Sequence, residues 1–378
     1  MKKDDTTQLP FQKRGTNPSE RGNIILNKER FLQALQETKG QSNLNGLKSK
    51  TLALRNVITH PREDREGIIN IDGDGDTITR RRDILISELD QVLEARTAER
   101  AKYYLERLEQ SIDRTKTTKI NDINLARWKE YDNIITDSLW FLDKRDTSGV
   151  HIASYWGNFI PQIPNQLMQR YTKKGDWVLD TFVGSGTTLI ECRRLGRNGI
   201  GIELNPEVAQ QAKELIAKES AKYDAKTEVV VGDARTTDIE SVLRNHNINK
   251  VQLLIMHPPY HDIIKFSEND NDLSNAPDTE AFIRMLGEAV DNATPHLERG
   301  RYFALVIGDK YSKGEWIPLG FLGMEEVLKR KYLLKSIIVK NFEETRAKRN
   351  QKELWRYRAL VGGFYIFKHE YIFLFKKK

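Results

Sequence analysis

The spacing of apolar and polar positions changes character near residue 125. Upstream, Ile24, Leu26, Phe31, Leu32 and Leu35, then Leu47, Leu52, Leu54 and Val57, recur at helical intervals and predict one or two helices over about 24–60. From Arg82 to about Lys116 strong helix formers carry apolar residues at Leu85, Leu89, Val92 and Leu93, then Tyr104, Leu105, Leu108 and Ile112. That stripe predicts one long helix or a hairpin of two. Residues 1–22 are polar and rich in Pro, Gly, Asn and Ser, the composition of a disordered tail. No internal repeat and no low-complexity segment is evident.

Downstream the period shifts. "GDWVLDTFVGSGTTLIECRRLGRNGIGIELN", from Gly175, alternates apolar strand, glycine loop, helix, turn and apolar strand, and such units continue to the end. Alternation of this kind predicts an α/β fold with a mostly parallel sheet and right-handed crossovers. The last three strands are expected at 301–309, 333–341 and 369–377. Another strand, ending "LLIM", runs into His257-Pro258-Pro259-Tyr260. Prolines lack an N–H and have φ fixed, so the strand must stop at His257, and the prolines hold the chain rigid at its carboxyl end. In open α/β sheets ligands bind there.

Composition narrows the class. The chain has 378 residues, 38% of them hydrophobic and 30% charged, enough for a large core and two or three domains. No apolar run approaches the ~20 residues needed to span a bilayer, and MKKDDTTQLP lacks the apolar core of a secretory signal. Cys192 is the single cysteine, so no internal disulfide and no thiolate metal site can form, and a cytoplasmic protein without a metal is expected. Asp72, Asp74 and Asp76 have the spacing of a calcium loop's first ligands, but Thr77 stands where glycine is required and Asp83 where a bidentate Glu is usual, so the stretch reads as an acidic turn. The net charge of +7 is concentrated late: residues 329–378 carry fifteen Lys or Arg against four Glu. Such a basic end suits a polyanionic partner, or else is a solvated lysine-rich surface.

The loop offers a ligand site. Strand Trp177–Leu179 ends at Asp180, and Thr181-Phe182-Val183-Gly184-Ser185-Gly186 leads into a helix near Thr187; strand 199–202 ends at Glu203. Gly184 and Gly186 let backbone approach a ligand, and Glu203 can accept from ribose hydroxyls. A dinucleotide site needs a third glycine, and position 189 is Leu. Asp180 before the loop would repel a pyrophosphate yet suit a cation, and Asp233 after strand 229–231 adds an acceptor. Acceptors at three strand ends fit S-adenosylmethionine, which carries a sulfonium and an ammonium and no phosphate.

"VLDTFVGSGTT", "GIELNP", "VVGDA" and "IMHPPY", in that order, resemble the S-adenosylmethionine-dependent amino-methyltransferases of DNA, which act on N6 of adenine or N4 of cytosine and often belong to restriction–modification systems. The likeness covers about 138–375, in the class where the cofactor half precedes the catalytic half. It implies a Rossmann-like methyltransferase fold with a mostly parallel seven-stranded sheet. It also implies that Asp180, Gly184 and Gly186 line the methionine part, that Glu203 takes the ribose, that Asp233 contacts the adenine, and that Phe182 and Thr187 bind the cofactor as well. Phe159, Pro161 and Gln162 fall in the upstream cofactor segment. His257, Pro258, Pro259 and Tyr260 form the catalytic tetrapeptide. Thr181 replaces a common proline, and His257 replaces the usual Asp, Asn or Ser.

An exocyclic amine is a poor nucleophile because its lone pair is delocalised. Acceptors that draw its N–H protons out of plane favour attack. The Pro258 carbonyl is one, the side chain before it the other, and Tyr260 offers a face for the base. His257 can accept only while neutral, so its ordinary value predicts loss of transfer below about pH 6.5; alternatively it is structural and the Pro258 carbonyl acts alone. The base must be flipped out, and cations on phosphates offset part of that cost. Arg346, Lys348, Arg349, Lys352, Arg356 and Arg358, interleaved with Trp355 and Tyr357 in the basic segment 341–368, are the candidate contacts to double-stranded DNA. Leu354 and Trp355 are expected to pack inward, and 261–278 to be a mobile loop over the base.

The domain map is therefore a tail 1–22, a helical region 23–125 for recognition or dimerisation, and a methyltransferase domain 126–378. The function implied is site-specific DNA amino-methylation, with a cognate restriction endonuclease as candidate partner and a homodimer through the N-terminal helices as candidate assembly. The rival readings are a tRNA guanine-N2 methyltransferase and a noncatalytic subunit that binds cofactor and DNA.

Overall fold

The computed structural model describes residues 22–69, 76–142, 144–152, 157–220, 223–341 and 352–378. They form two units: one takes the described residues up to Thr117 with Ile123–Asp132, the other Thr118–Asp122 with Asn133–Lys378. The boundary thus falls at 132 rather than 125. Of the acidic turn, Asp72 and Asp74 lie outside the described residues, while the Asp83 carboxylate accepts from the Arg81 guanidinium.

The first unit is not purely helical. β1 (Asn23–Asn27) leads directly into α1 (Lys28–Lys39), and α2 (Leu44–Thr59) follows. β2 (Thr77–Arg81), α3 (Arg82–Leu93) and α4 (Ala98–Asp113) repeat that order at the same lengths, with every boundary 54 residues further on. The two strands pair antiparallel, with Ile25 opposite Thr79 and Asn23 opposite Arg81. Residues 25 and 79 are equivalent in the repeat and face each other, so the ribbon has a local two-fold axis between them. Buried Phe31, Leu35, Thr38, Leu47, Thr51, Leu54 and Ile58 match buried Leu85, Leu89, Val92, Ala101, Leu105, Leu108 and Ile112. The caps repeat too: Asn43 accepts from the Gly46 N–H and Thr97 from the Arg100 N–H. An internal repeat is therefore present where the sequence displays none, and Ile24 and Leu26 are strand residues pointing into the core.

One departure from the symmetry is chemical. On the inner face of β2, Arg80 is 1% exposed, with Glu130 at 2.5 Å, Ser111 Oγ at 3.0 Å and Glu88 at 3.5 Å. Arg80, Glu88 and Ser111 occupy the positions that Leu26, Ala34 and Val57 fill in the first repeat. A buried polar group needs its partners, so the three residues, with Glu130, form one matched set.

In the second unit β3 (Leu139–Trp140), α5 (Gln162–Tyr171), β4 (Trp177–Asp180), α6 (Thr187–Leu195), β5 (Asn198–Glu203), α7 (Pro206–Lys218), β6 (Thr227–Val231), α8 (Ile239–Asn245) and β7 (Val251–Met256) come first. α9 (Thr279–Ala293), β8 (Leu297–Ile307), the hairpin β9 (Lys310–Ser312) and β10 (Glu315–Ile317), α10 (Leu319–Leu328), β11 (Leu333–Asn341), α11 (Lys352–Gly362) and β12 (His369–Lys376) complete it. The main sheet runs β3-β11-β12-β8-β7-β4-β5-β6. It has eight strands where seven were expected, the addition being two-residue β3. β6, β5, β4, β7 and β8 are mutually parallel, and β12 runs antiparallel to β8 and β11. Every residue of β4 is buried, as a parallel strand covered on both faces requires. The chain leaves β4 toward β5 on one side and later returns to β7 on the other. That reversal is the topological switch point, at whose carboxyl edge ligands bind.

Unfolding in urea tests the coupled core. Replacing Arg80 alone, Arg80→Leu, is expected to cost about 3 kcal/mol, because Glu130 and Glu88 both stay buried with a lost partner. Adding Glu88→Ala should recover at least half of that; a double variant less stable than the single one contradicts the equivalence.

Candidate active site

A cavity of about 360 Å³ opens at the switch point, lined from the carboxyl ends of β4, β5, β6 and β7. Gly186 sits at φ +87°, where an added Cβ would come within 2.9 Å of the Ile216 side chain, and Gly201 on β5 leaves space for Val183. These two glycines seat the loop between β4 and α6. Of the candidate site residues, Phe159, Phe182, Gly184, Glu203, Asp233, His257, Pro258, Pro259 and Tyr260 line the cavity.

Other anticipated residues stand behind its wall. Asp180 is fully buried, accepting from the Phe182 N–H at 3.0 Å and from Thr188 Oγ1 at 2.5 Å. It braces the loop. Burial pushes its carboxyl up to about 6, the hydrogen bonds opposing. Thr187 donates to Asn158 Oδ1, Gln162 bonds the 144–146 backbone, Pro161 precedes α5, and Gly186 caps α6. The stretch after Tyr260, expected to be mobile, is cross-braced instead: Ser267 donates to Asp272, Asn275 to the Ser267 and Asn269 carbonyls, and His261 Nε2 lies 2.9 Å from the Ala276 carbonyl. Ile264, Phe266 and Asp272 from this stretch complete the wall.

Of the basic segment, Arg346, Lys348 and Arg349 lie outside the described residues, and Lys352 opens α11. Arg356 and Arg358 are exposed on α11, the latter over the Trp355 ring at 5.3 Å. Leu354 does not pack inward; it is 42% exposed, alongside exposed Tyr357, Leu360 and Val361.

Two cavity residues had no motif to announce them. Lys340 on β11 and Glu370 on β12 are cross-strand neighbours, both buried, with Nζ and Oε1 2.9 Å apart. The other Glu370 oxygen accepts from the Tyr260 hydroxyl at 2.7 Å, and that hydroxyl oxygen lies 3.2 Å from His257 Nε2. A phenol has one proton. With it given to the carboxylate, the phenol oxygen can only accept from the imidazole, so His257 carries its proton on Nε2 and keeps the lone pair on Nδ1. Phe159 stacks on the imidazole, ring centroids 4.7 Å apart. Burial lowers the His257 pKa to about 4, with Glu370 partly opposing and Lys340 reinforcing the shift. The ring is therefore neutral well below the 6.5 expected from its ordinary value. Burial likewise raises the Tyr260 hydroxyl well above its usual range, so it remains a donor.

The lining carries four carboxylates, Glu203, Asp233, Asp272 and Glu370, against one ammonium, Lys340. Glu203 is held by the N–H groups of Gly184 (3.0 Å) and Asn205 (2.9 Å), and burial raises its pKa. Asp233 is partly spent: Arg235 donates to it through its backbone at 2.8 Å and its guanidinium at 2.7 Å. Thr181 contributes to the cavity lining, and its Oγ1 is buried without a hydrogen-bond partner among the described residues. Such an edge favours a ligand bearing positive charge.

Fold and cavity together define a doubly wound α/β protein with an acidic ligand site at its switch point. The DNA methylase family matches residues 53–214, a span that starts inside the first unit and ends before His257. Type II methyltransferase M.MjaII of Methanocaldococcus jannaschii is 45% identical over 65 residues, 17% of this chain and 12% of its own. Type II methyltransferase M.BglI of Bacillus subtilis is 27% identical over 147 residues, 37% of this chain and 38% of its own. Among solved structures, TrmN from Thermus thermophilus aligns at 15% identity over 58% of this chain and 49% of that one, with a TM-score of 0.38. The chain is thus similar to DNA methylases over part of its length, and it spans well under half the length of these two curated relatives. No helix among the described residues is long and apolar enough to cross a membrane.

Because the Asp180 carboxyl is raised from 3.8 to about 6, its burial cost is present above pH 6 and is relieved as the pH falls toward 4. Asp180→Asn should therefore unfold later in urea than the parent at pH 8, by about 2 to 3 kcal/mol. The difference should disappear by pH 4, and a gain independent of pH contradicts the assignment.

Proposed function

We propose that this protein transfers a methyl group from S-adenosylmethionine to the exocyclic amino group of a flipped base in double-stranded DNA, N4 of cytosine or N6 of adenine. One observation carries the reading: the His257-Pro258-Pro259-Tyr260 strand end and the glycine loop share a single acidic cavity. The residues present fit the cofactor. The lining is anionic, and Leu189 stands where a pyrophosphate site needs glycine. Gly184 and Phe182 would lie along its methionine part, Glu203 would accept from its ribose, and Asp233 would use its remaining acceptor capacity on the adenine. When bound, S-adenosylmethionine supplies an electrophilic methyl group on a cationic sulfur.

The chain's own residues do the rest. The Pro258 carbonyl and His257 Nδ1 accept the two N–H protons of the incoming amine and draw them out of the base plane, which restores the nitrogen lone pair for attack. His257 Nδ1 would take the surplus proton of the methylated amine and release it to water. Phe159 keeps the imidazole in one plane, and Glu370 with Lys340 keeps its tautomer. Tyr260 presents its ring while its hydroxyl is anchored behind. The Type II names of the relatives favour a restriction–modification setting with a cognate endonuclease.

Expression in a methylation-free host followed by sequencing of modified bases tests the proposal: N4-methylcytosine or N6-methyladenine at one defined sequence is expected, and an unmodified genome contradicts it. At saturating cofactor, kcat should be level from pH 8 to 5 and fall as His257 protonates near 4; a midpoint near 6.5 contradicts the buried neutral imidazole. His257→Ala should lower kcat about 100-fold while leaving the KM for cofactor within a few-fold.

A further inference from the structure

Helix α11 is exposed on nearly every side. Of its described side chains, only those of Trp355 and Ala359 are even half-buried. Its place in the sheet is nonetheless well defined. β11 and β8 both run antiparallel to β12, and β8 is parallel to β7, so β11 ends and β12 begins at the carboxyl edge where the cavity opens. Lys340 and Glu370, at those two strand ends, line the cavity itself. The connection that carries α11 therefore rises from the cavity rim. Its return leg is clamped: Phe364 stacks on Tyr311 with ring centroids 4.3 Å apart, and Phe367 lies against Trp316 at 4.1 Å. Both partners belong to the β9–β10 hairpin, which follows the carboxyl end of β8.

What α11 exposes is an apolar stripe. Leu354, Tyr357 and Val361 recur at helical spacing, Leu360 flanks them, and Tyr365 just beyond the helix is 87% exposed. A contiguous apolar patch on a surface marks an interaction site. Arg356 and Arg358 stand exposed beside it; neither meets a carboxylate among the described residues, and Arg358 lies over the Trp355 ring. The whole stretch 341–368 carries seven Lys or Arg against three Glu.

Either a protein or the substrate itself covers such a stripe, and placement decides between them. A protein seated on the rim would close the mouth through which a flipped base must enter. The duplex that supplies the base has to lie across that mouth. Cations there belong on backbone phosphates. Eversion of a base opens a gap in the stack, and apolar side chains are what proteins insert between base steps.

We infer that Leu360 and Val361, near the clamped end of α11, enter the duplex and occupy the space left by the everted base, with Arg356 and Arg358 on flanking phosphates. The inference rests on the function proposed above and supplies its base-flipping step with a wedge. These are positioning residues, since they hold the base out and do not touch the reacting atoms.

Methyl transfer by the full chain is measured on two duplexes carrying the site found by sequencing, one fully paired and one abasic opposite the target base. A target base without a partner is already partly free, so it has less need of a wedge. Leu360→Ser with Val361→Ser should lower kcat/KM about 30-fold on the paired duplex and less than about 3-fold on the abasic one. Cofactor affinity by calorimetry should match that of the parent, because neither residue lines the cavity. Leu360→Met with Val361→Ile, still apolar, should keep the parent rate on both duplexes. Parent-like transfer to the paired duplex by the serine variant, as expected when the stripe meets a protein, overturns the inference, and so does an equal loss on the two duplexes. A parent chain that methylates neither duplex overturns the proposed function and this inference with it, a result distinct from the other two.

Discussion

A lysine and a glutamate paired across two neighbouring strands set the chemistry of the cavity. Burying both charges is costly, and such a pair seldom adds net stability over an apolar replacement. What it supplies is orientation. Lys340 fixes Glu370, Glu370 takes the one proton Tyr260 can give, and Tyr260 is left able only to accept from His257. Each hydrogen bond removes a choice from the next group. At the end of this relay an imidazole that could have carried its proton on either nitrogen has Nε2 assigned to it. The usual acidic or amide residue at this position needs no such help, since its oxygen is an acceptor in any state relevant here; a histidine does, which explains why the support reaches back two strands.

The same economy of position governs the rest of the second unit. Asp180, at the very end of β4, does not reach the ligand space but ties the loop to α6, so that Gly184 and Phe182 can. Its buried negative charge still adds to the field of the cavity. The first unit uses a different device, duplication. Two copies of a strand and two helices bury equivalent positions around a shared axis, and where the copies differ inside, they differ in concert. Arg80, Glu88 and Ser111 are a polar set that only makes sense together. Where they differ outside, on the ribbon, Asn27 caps α1 while its counterpart Arg81 pairs with Asp83 and Asp132.

Much of this was legible in the sequence. Parallel strands declared themselves as short apolar runs, the loop by its glycines, and the rigid corner after β7 by two prolines that no sheet could absorb. The nine residues expected at the cavity that do line it sit at strand ends or on the segment just upstream of α5. Depth was harder to read: Asp180 looks like a ligand contact until its complete burial is known. Lys340 and Glu370 were visible as charges inside otherwise apolar strands, "SIIVKN" and "HEYIFLF", but nothing local says that they meet or that Tyr260 joins them. β1 and β2 were hidden because five residues are too few to establish a two-residue period, and Arg80 breaks the pattern by pointing a guanidinium inward. The repeat escaped notice because burial at equivalent sites is satisfied by different side chains, Phe31 by Leu85 and Thr51 by Leu105.

The central claim is that His257 meets the substrate with Nδ1 bare and Nε2 protonated. Nitrogen-15 NMR of the histidine side chains, with His257 assigned by comparison with a His257→Asn chain, reports the tautomer directly. The account predicts a neutral ring with the proton on Nε2 throughout pH 8 to 5, shifting toward the other form when Glu370→Leu removes the anchor. A ring protonated on Nδ1 in the parent protein, or one already cationic at pH 6, would contradict it.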